Sequence, residues 1–377
     1  MSAFIFSIFI AMFGWTPFGI VHDGAYTTGF AAKVAFLSDG TPVAIYNTGS
    51  GGPYGYHGDI YVKRWNGSSW DSMGNYLETG RYRDASRPDI AVDSMDNLYA
   101  VFYENIRVNR YPFIVLVKKW NGSDWENVGP ALNEDMSQSA LSPRIVIDGT
   151  DRPVVAFSEF SSATSSAEIF VKRWNGASWE IIGGAADDPA GSSASSVSLV
   201  INHLNRPVIA YQQDYKIKSA RWNGAQWIPN GGVINVDINA DAYAPNLAKG
   251  SSGKIFIAWH EQDAARGGPV VHSAEWRGNG GWFKLGGPIN DDQGVMRSTS
   301  GSIDVRGRAV PTISWKDFNS DDLYVSYFSR PTGRWITYSG RPVGEMFGSL
   351  SATYFANTKV HLIYTNVAKE LLFLTRN

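Results

Sequence analysis

Seven times along the chain an aromatic residue is followed, two positions later, by a polar or acidic residue. The aromatic residues are Tyr46, Phe102, Phe157, Tyr211, Trp259, Trp315 and Tyr364, and their polar partners are Thr48, Glu104, Glu159, Gln213, Glu261, Asp317 and Asn366. Residues two apart on a strand lie on the same side of a sheet. The polar set therefore predicts either a ring of acceptors around ligand pockets or a set of ties to neighbouring loop amides.

Aromatic residues outside the regular pattern add a second chemistry. Tyr54, Tyr56 and Tyr111 lie in segments too irregular to be core strands. An aromatic ring can stack on the face of a sugar while nearby Asn, Asp or Glu side chains orient its hydroxyl groups. We expect these tyrosines to join Glu104, Glu159, Gln213, Glu261, Asp317 and Asn366 in a ligand-binding surface. Rings that only pack their own loops are the alternative.

Motifs for catalysis or resident cofactors are hard to find. The six histidines have no metal-ligand spacing, and the chain has no cysteine and no G-x-S-x-G turn. Loop pairs such as Asp187-Asp188 would allow calcium, but they belong to no EF-hand series. The sequence predicts no catalytic residue and no cofactor. Carboxylates from successive copies of this pattern, such as Glu104 and Glu159, could lie across from each other and leave a glycosidase as a further alternative.

Composition limits the class of partner. Hydrophobic residues make up 44% of the chain, aromatic residues 14%, and the net charge is −2. Because no basic field is available to neutralise phosphates, a nucleic-acid partner is not expected. The 39 glycines and the abundance of aromatic residues are typical of short strands joined by tight turns. The composition indicates an all-β protein.

A repeated phrase shows how these strands are organised. WNGSSW, WNGSDW, WNGASW and WNGAQW begin at Trp65, Trp120, Trp174 and Trp222, and weaker copies begin at Trp276 and Phe328. Each repeat of roughly 50 residues holds four β-rich runs, which is typical of a β-propeller blade. The two tryptophans flank a four-residue hairpin loop, so they lie opposite each other and can join adjacent blades. We interpret Asn and Gly as the positive-φ residues of that loop.

The two ends of the chain predict how the ring closes. A Gly follows the second Trp of five hairpins four residues later, the sixth copy slips by one residue (Trp335 and Gly340), and one further Trp–Gly pair, Trp15 and Gly19, lies near the start of the chain. The last repeat stops where its third strand should end. We therefore expect residues 14–21 to supply the outer strand of a seventh blade whose other strands come from residues 348–377. Residues 14–377 are predicted to form one seven-bladed domain.

Residues 1–13 form a separate segment. The run AFIFSIFIAMF is too short to span a bilayer. Its length fits a signal peptide or an anchor, although no Lys or Arg precedes it. A strand or helix docked on the domain is the alternative. An export signal would place the protein outside the cell or at the cell surface.

The loops differ between the two faces of the predicted propeller. The first-to-second and third-to-fourth strand connections are short and alike, and they share one face, which we call the hairpin face. The second-to-third and blade-to-blade connections vary in length and sequence, as in NTGSGGPYGYHGD and HEQDAARGGP. They share the opposite face, which we call the variable face. Because binding residues concentrate on variable loops of a rigid scaffold, we expect the variable face to be functional.

The repeat resembles known propellers. G-x-P-V-V-A-aromatic followed by VKRWNGxSWExxGG resembles repeats of secreted bacterial β-propeller proteins. The part W-N-G-x-x-W-x-x-x-G is similar to the blade endings of bacterial seven-bladed propeller lectins of the fucose-binding kind. The likeness covers the outer hairpin of each blade, about a quarter of the chain, and carries over no lectin binding residue. It implies the propeller fold and, more weakly, sugar binding.

Together these patterns predict a non-catalytic binding module that recognises glycans at a cell surface or matrix. A protein-interaction or assembly subunit of an extracellular structure is the alternative, and a glycoside-acting enzyme is the third. The expected partner is thus a glycan or a surface protein. No membrane span is expected.

Overall fold

The computed structural model is a seven-bladed β-propeller in which every blade is a four-stranded antiparallel sheet. It describes residues 15–22, 28–52, 55–80, 84–107, 110–189, 192–278, 281–291, 298–306, 310–317, 319–320, 322–338, 346–356, 359–366 and 370–376. No α-helix occurs within these ranges. The predicted fold class is confirmed. The predicted leader, residues 1–13, lies outside the described residues.

The strands follow one another in chain order around the ring. They are β1 Trp15–His22, β2 Thr28–Phe36, β3 Pro42–Gly52, β4 Gly55–Trp65, β5 Trp70–Ser72, β6 Ala85–Val92, β7 Leu98–Arg107, β8 Arg110–Trp120, β9 Trp125–Asn127, β10 Ala140–Ile147, β11 Pro153–Ser161, β12 Ser166–Trp174, β13 Trp179–Ile181, β14 Ala194–Ile201, β15 Pro207–Gln213, β16 Lys216–Trp222, β17 Trp227–Pro229, β18 Ala242–Lys249, β19 Ile255–Asp263, β20 Gly268–Trp276, β21 Trp282–Lys284, β22 Ser298–Arg306, β23 Val310–Asp317, β24 Leu323–Ser329, β25 Arg334–Thr337, β26 Met346–Ala356, β27 Lys359–Asn366 and β28 Leu371–Arg376.

Blades 1 to 6 each contain four consecutive strands, from β2 to β25, and blade 7 is shared between the two ends of the chain. Its order is β26, β27, β28 and then β1, with Trp15 opposite Arg376 and Pro17 opposite Leu374. Gly19 has a positive φ of 94°, and the glycines after five of the hairpins also have positive φ values: Gly74, Gly129, Gly183, Gly231 and Gly286. The predicted closure of the ring is confirmed.

The hydrophobic core lies mainly between neighbouring blades. One cluster joins Val43 and Ile45 of β3 to Ala100 and Phe102 of β7. The seven aromatic residues of the second strands are all nearly inaccessible to solvent: Tyr46, Phe102, Phe157, Tyr211, Trp259, Trp315 and Tyr364. A single antiparallel blade cannot bury both of its faces, so these rings stabilise each blade against its neighbours.

The repeated tryptophans pair across the hairpins as the sequence predicts. Trp120 lies opposite Trp125, and their ring centroids are 5.5 Å apart. The role assigned to Asn was wrong, because only the Gly of the turn has a positive φ. The Asn66 side chain instead accepts hydrogen bonds from the backbone amides of Ser68 and Ser69, at 2.9 and 2.8 Å. This Asx turn orders the loop without a strained Asn backbone.

The second Trp of each hairpin also binds the preceding blade. Its indole N–H donates to a backbone carbonyl there, and the pairs are Trp70 to Phe18 (3.2 Å), Trp125 to Met73 (2.9 Å), Trp179 to Val128 (2.7 Å), Trp227 to Ile182 (2.8 Å) and Trp335 to Leu285 (2.8 Å). Trp282 is the exception, since its indole nitrogen is buried and has no hydrogen-bond partner among the described residues. Phe at these positions would keep the packing and lose the bond.

The Gly after the second Trp meets the next blade. Gly183 has a φ of 73°, and a Cβ atom there would lie 2.7 Å from Cζ3 of Trp222 in blade 4. Gly129 is placed in the same way against Trp174. At Gly231 the φ is 84°, but a Cβ atom would have no neighbour within 4 Å. The W-x-x-x-G spacing thus combines a left-handed turn with close packing under an indole ring.

On the hairpin face, short turns join each blade to the next one. The backbone N–H and the hydroxyl of Ser94 both donate to the Asp151 carboxylate, at 2.9 and 2.7 Å, and Ser38 binds Asp96 in the same way. The two aspartates have φ values of 60° and 63°. Asp tolerates this conformation better than most residues. Carboxylates therefore link blades 1, 2 and 3 at their turns.

Each inner strand bends near its start on the variable face. The strand pairing shifts between the second and fifth residues of β6, from Ser86 to Asp89, and the intervening Arg87 has a φ of 50°. The same shift recurs in the inner strands β2, β10, β14 and β18, at Ala31, Ser142, Ser196 and Ala244. A bulge of this kind re-aims the side chains that follow it.

Candidate functional site

The predicted acceptors Glu104, Glu159 and Glu261 anchor the blade-to-blade loops on the variable face. Each is at most 2% exposed. Glu159 accepts the backbone N–H groups of Glu134 and Asp135 at 2.8 and 2.7 Å. Glu261 accepts those of Val236 and Asp237, and Glu104 accepts the N–H of Thr79 at 2.8 Å. These are the loop ties that the sequence offered as one of two interpretations.

Gln213 and Asp317 also act locally. Gln213 donates its amide to the Asp188 and Ser192 carbonyls at 3.0 and 2.8 Å. Asp317 accepts the backbone N–H of Asn319 at 2.8 Å. Tyr54 lies outside the described residues, and the side chains of Tyr56, Tyr111 and Asn366, in β4, β8 and β27, are likewise outside the description. Ligand binding by these nine residues stays a prediction.

The residue eight positions after the second Trp of a hairpin lies at the junction with the next blade, and its type differs between blades. Eight residues after the second Trp, an Asn side chain accepts the N–H of the third strand in two blades. Asn133 Oδ1 binds the Val115 N–H at 3.0 Å, and Asn235 Oδ1 binds that of Ile217 at 3.0 Å. A neutral amide is therefore sufficient for the fold at this position.

Two blades have an acid in place of that Asn. Asp187 Oδ1 accepts the Ile169 N–H at 2.8 Å, but its other oxygen accepts the Gln213 amide at 3.2 Å, so acid and amide have exchanged positions. In blade 1 the acid is Glu78, whose Oε2 accepts the Ile60 N–H at 3.2 Å. The adjoining anchor is Glu104, which is also an acid. No amide compensates here, and the junction of blades 1 and 2 concentrates carboxyl groups.

A third carboxyl group of blade 1, that of Asp59 in β4, lies against Glu78. Glu78 is 6% exposed, and its carboxyl group shares a hydrogen bond with that of Asp59. Burial, and then this bond, raises the pKa of Glu78 to about 9. Two carboxylates cannot hydrogen-bond to each other unless one is protonated. We call Asp59 and Glu78 the carboxyl pair, and at neutral pH it holds one proton.

The surroundings of the carboxyl pair are aromatic and partly open. Asp59 is half-buried, and its Oδ2 lies 3.4 Å from the Tyr61 hydroxyl. Burial and the nearby Asp59 raise the pKa of Tyr61 to about 12, so this hydroxyl stays a donor. Tyr76, two residues before Glu78 in the chain, is 42% exposed, and it is close enough to Tyr61 to affect the pKa of that hydroxyl. A held proton next to an exposed ring is an arrangement suited to acid catalysis on a ring-shaped substrate.

Sequence reasoning missed the carboxyl pair because Asp59 and Glu78 belong to no catalytic motif. The available signal was the alignment of the repeats, in which Glu78 replaces Asn133 and Asn235. In the described part of the chain, no group of three His, Asp or Glu side chains could hold a metal ion. Nor does any described segment form a helix long and apolar enough to cross a membrane.

Comparison with known proteins shows the fold. No family model and no curated protein matches the chain. Among solved structures, it is similar to the GH93 alpha-L-arabinofuranosidase of Fusarium graminearum, with a TM-score of 0.56, 11% identity and coverage of 94% of this chain and 96% of that one. A protein of unknown function from Dyadobacter fermentans gives a TM-score of 0.55 at 8% identity, covering 97% and 100% of the two chains. A PL25 ulvan lyase gives 0.52 at 12% identity, covering 83% and 79%.

These neighbours correct two expectations from the sequence. A non-catalytic glycan-recognition module, and the absence of enzyme activity, do not agree with a set of neighbours that includes an arabinofuranosidase, an arabinanase and an ulvan lyase. The sequence contains no catalytic motif for the carboxyl pair, because Asp59 of β4 and Glu78 of the loop after β5 are brought together only when blade 1 folds. What the structural likeness itself shows is the seven-bladed propeller.

Proposed function

We propose that this protein is a glycoside-acting enzyme whose proton donor is the carboxyl pair. The observation that carries the proposal is that a buried carboxyl group, Glu78, is hydrogen-bonded to Asp59 at a position where the fold requires only an Asn. The carbohydrate-active enzymes among the structural neighbours support the same class of reaction. A glycan is therefore the proposed substrate, and the proposed location is outside the cell or at its surface.

The chemistry follows from the state of the carboxyl pair. As a glycosidic C–O bond breaks, negative charge develops on the leaving oxygen, and the pair can transfer its proton to that oxygen. A water molecule supplies the oxygen that bonds to the anomeric carbon, and its released proton returns to the pair. Because burial holds the pKa of Glu78 far above its ordinary value, the pair is still protonated at neutral pH.

The variable face offers surfaces that could hold the sugar. Tyr76, two residues before Glu78 in the chain, is 42% exposed. Further round the ring, Tyr215 is 57% exposed and contacts Tyr243 at a centroid distance of 6.0 Å. Asp241 Oδ2 lies 3.3 Å from the Tyr243 hydroxyl and can accept a sugar hydroxyl. Exposed rings beside carboxylates are common features of glycan-binding surfaces.

The test is a reducing-end assay on a panel of neutral and acidic polysaccharides, with wild type and Glu78→Gln. Gln keeps the size and an acceptor oxygen but holds no transferable carboxyl proton. We expect Glu78→Gln to lower the rate by on the order of 10²–10⁴-fold, the usual contribution of a general acid. Full activity in Glu78→Gln would refute the assignment.

A matched control comes from the same position of another repeat. Asp187→Asn also removes an acid eight residues after a second Trp, and this acid is half-buried. It should leave the rate unchanged, since Asp187 is paired with an amide. An equal loss in both variants would indicate damage to the fold. A lyase would instead cleave the chain by elimination, without incorporating a water molecule, and its unsaturated uronate product would absorb ultraviolet light.

A further inference from the structure

The central channel contains charged side chains that the proposed function does not use. In each of the first six blades, pairing of the inner strand with the second strand resumes at one residue after the bulge, and these residues are Lys33, Asp89, Arg144, Ser198, Asn246 and Ser302. Two of them bind the next inner strand. Asp89 Oδ2 accepts the Ile145 N–H at 3.1 Å, and Ser198 Oγ accepts the Leu247 N–H at 2.9 Å.

The charges from blades 1, 2 and 3 act on one another across the channel. The charges of Arg144 in β10 and Asp89 in β6 both affect the pKa of Lys33 in β2: Arg144 lowers it and Asp89 raises it. The inner strand of blade 2 lies between the inner strands of blades 1 and 3. Lys33 and Arg144 can therefore approach each other only through the central channel, which all the inner strands line. All three side chains are half-buried, and water still reaches them.

Positive charge is in excess at this point of the channel. Lys33 makes no hydrogen bond and no ion pair with the described residues. Arg144 donates to the Pro143 carbonyl at 2.9 Å and has further N–H groups available. The two oxygens of Asp89 already accept the Ile90 and Ile145 amides. Two cations therefore occupy equivalent positions of the inner strands in blades 1 and 3, and the carboxylate at that position of blade 2 is engaged by the backbone.

We infer that Lys33 and Arg144 form a binding site for a small oxyanion in the channel, the carboxylate or sulfate group of an acidic glycan or the free anion. An oxyanion would accept from both cations and offset their repulsion, and a guanidinium group can bind it through two parallel hydrogen bonds. The site is independent of the proposed acid catalysis, because it involves neither Asp59 nor Glu78. If the oxyanion is part of a glycan, its binding by Lys33 and Arg144 would favour glycans that carry negative charge.

The experiment is calorimetric titration of the full chain with sodium sulfate and with a galacturonate trisaccharide, and a neutral galactose trisaccharide is the control. Lys33→Met and Arg144→Met should each weaken binding of the anions by roughly ten- to hundredfold, as expected for a charge-assisted hydrogen bond. Lys249→Met, which removes an exposed lysine at the far end of β18, should have no effect.

Asp89→Asn separates the site from mere structural damage. It removes the carboxylate that acts on Lys33 and keeps an acceptor oxygen for one amide. It should tighten anion binding by severalfold, whereas disruption of the channel would weaken binding. Tighter binding of the acidic trisaccharide than of sulfate assigns the site to a glycan, and equal binding assigns it to the free anion. No saturable binding of either, or unchanged affinity in Lys33→Met, would overturn the proposal.

Proton uptake gives a second readout. Burial, and then the Arg144 cation, lowers the pKa of Lys33 to about 8. A bound anion would raise that pKa again, so binding at pH 8 to 8.5 should take up a fraction of a proton, on the order of half. The heat of binding would then depend on the ionisation enthalpy of the buffer in wild type but not in Lys33→Met. Equal proton uptake in both would contradict the assignment of Lys33.

Discussion

Replacing Trp227 by Phe tests whether the indole N–H stabilises the contact between blades. In blade 4 this group donates to the Ile182 carbonyl of blade 3 at 2.8 Å. Phe keeps most of the apolar ring, but it leaves that carbonyl without its indole donor. Losing one partner of a buried hydrogen bond costs about 1–3 kcal/mol.

Trp282 supplies the matched control for this experiment. It lies at the same place in the hairpin of blade 5, opposite Trp276, and it is also partly buried. Its indole N–H has no partner in the described part of the chain. Trp282→Phe therefore removes the same atoms without breaking a hydrogen bond. The loss of ring area is common to both variants, so their difference isolates the hydrogen bond.

The measurement is urea-induced unfolding followed by circular dichroism. Trp227→Phe should lower the free energy of unfolding by about 1–3 kcal/mol more than Trp282→Phe, with the same dependence on urea concentration. If both variants lose the same stability, the hydrogen bond contributes nothing, and the repeated Trp is retained for its size alone.

Four other results follow from the structure. Gly183→Ala should destabilise the protein by about 1–3 kcal/mol more than Gly231→Ala in thermal unfolding, because only the first Cβ atom meets an indole ring. Glu159→Gln should lower the urea midpoint by an amount equivalent to about 1–3 kcal/mol. Both oxygens of Glu159 accept a backbone N–H group, and the NH₂ group of Gln would face one of these two donors and could not accept from it. The bonds from Ser94 hold the pKa of Asp151 below its usual value, so its contribution is present above about pH 4 and is lost as the pH falls through the lower folded-state pKa; Asp151→Asn should flatten the acid limb of a melting curve against pH. Glu78 has the opposite sign: its raised pKa makes wild type lose stability between about pH 4.5 and pH 9, and Glu78→Gln should melt higher than wild type at pH 8.

Much of the fold could be predicted because the same physical problem recurs in every blade. Each hairpin needs two facing rings, a tight turn and a Gly under the next ring, so Trp and Gly recur at fixed spacing. Trp15 and Gly19 continue this spacing at the other end of the chain, and that continuity predicted the closure. The aromatic residues of the second strands were recognisable for the same reason.

Other features leave no trace in residue type. The bulges place Ala31, Arg87 and Ser142 at positive φ, although such residues do not favour that conformation. The surrounding strand pairing imposes it. The position after the bulge then turns Lys33 and Arg144 into the channel, and their proximity across two blades is invisible to any local pattern. Glu78 became noticeable only once the hairpins had been aligned.

Asn66 shows how a correct pattern can have a different physical cause. The sequence placed Asn-Gly in a turn, and the turn exists. The side chain, rather than an unusual backbone angle, is what the turn requires. A Gly at that position would satisfy the backbone and lose two hydrogen bonds from Ser68 and Ser69.

The pairing of β1 with β28 also has a consequence for the order of folding. These strands are separated by almost the whole length of the chain, so β1 leaves the ribosome long before its partner has been synthesised. Until then one side of β1 presents unpaired N–H and C=O groups. The nascent propeller is an open array of blades, and forming the last strand pair is a slow, long-range step. While β1 is unpaired, it can pair with β28 of another growing chain, so that the two chains exchange strands. Dilution or a chaperone would favour pairing within one chain.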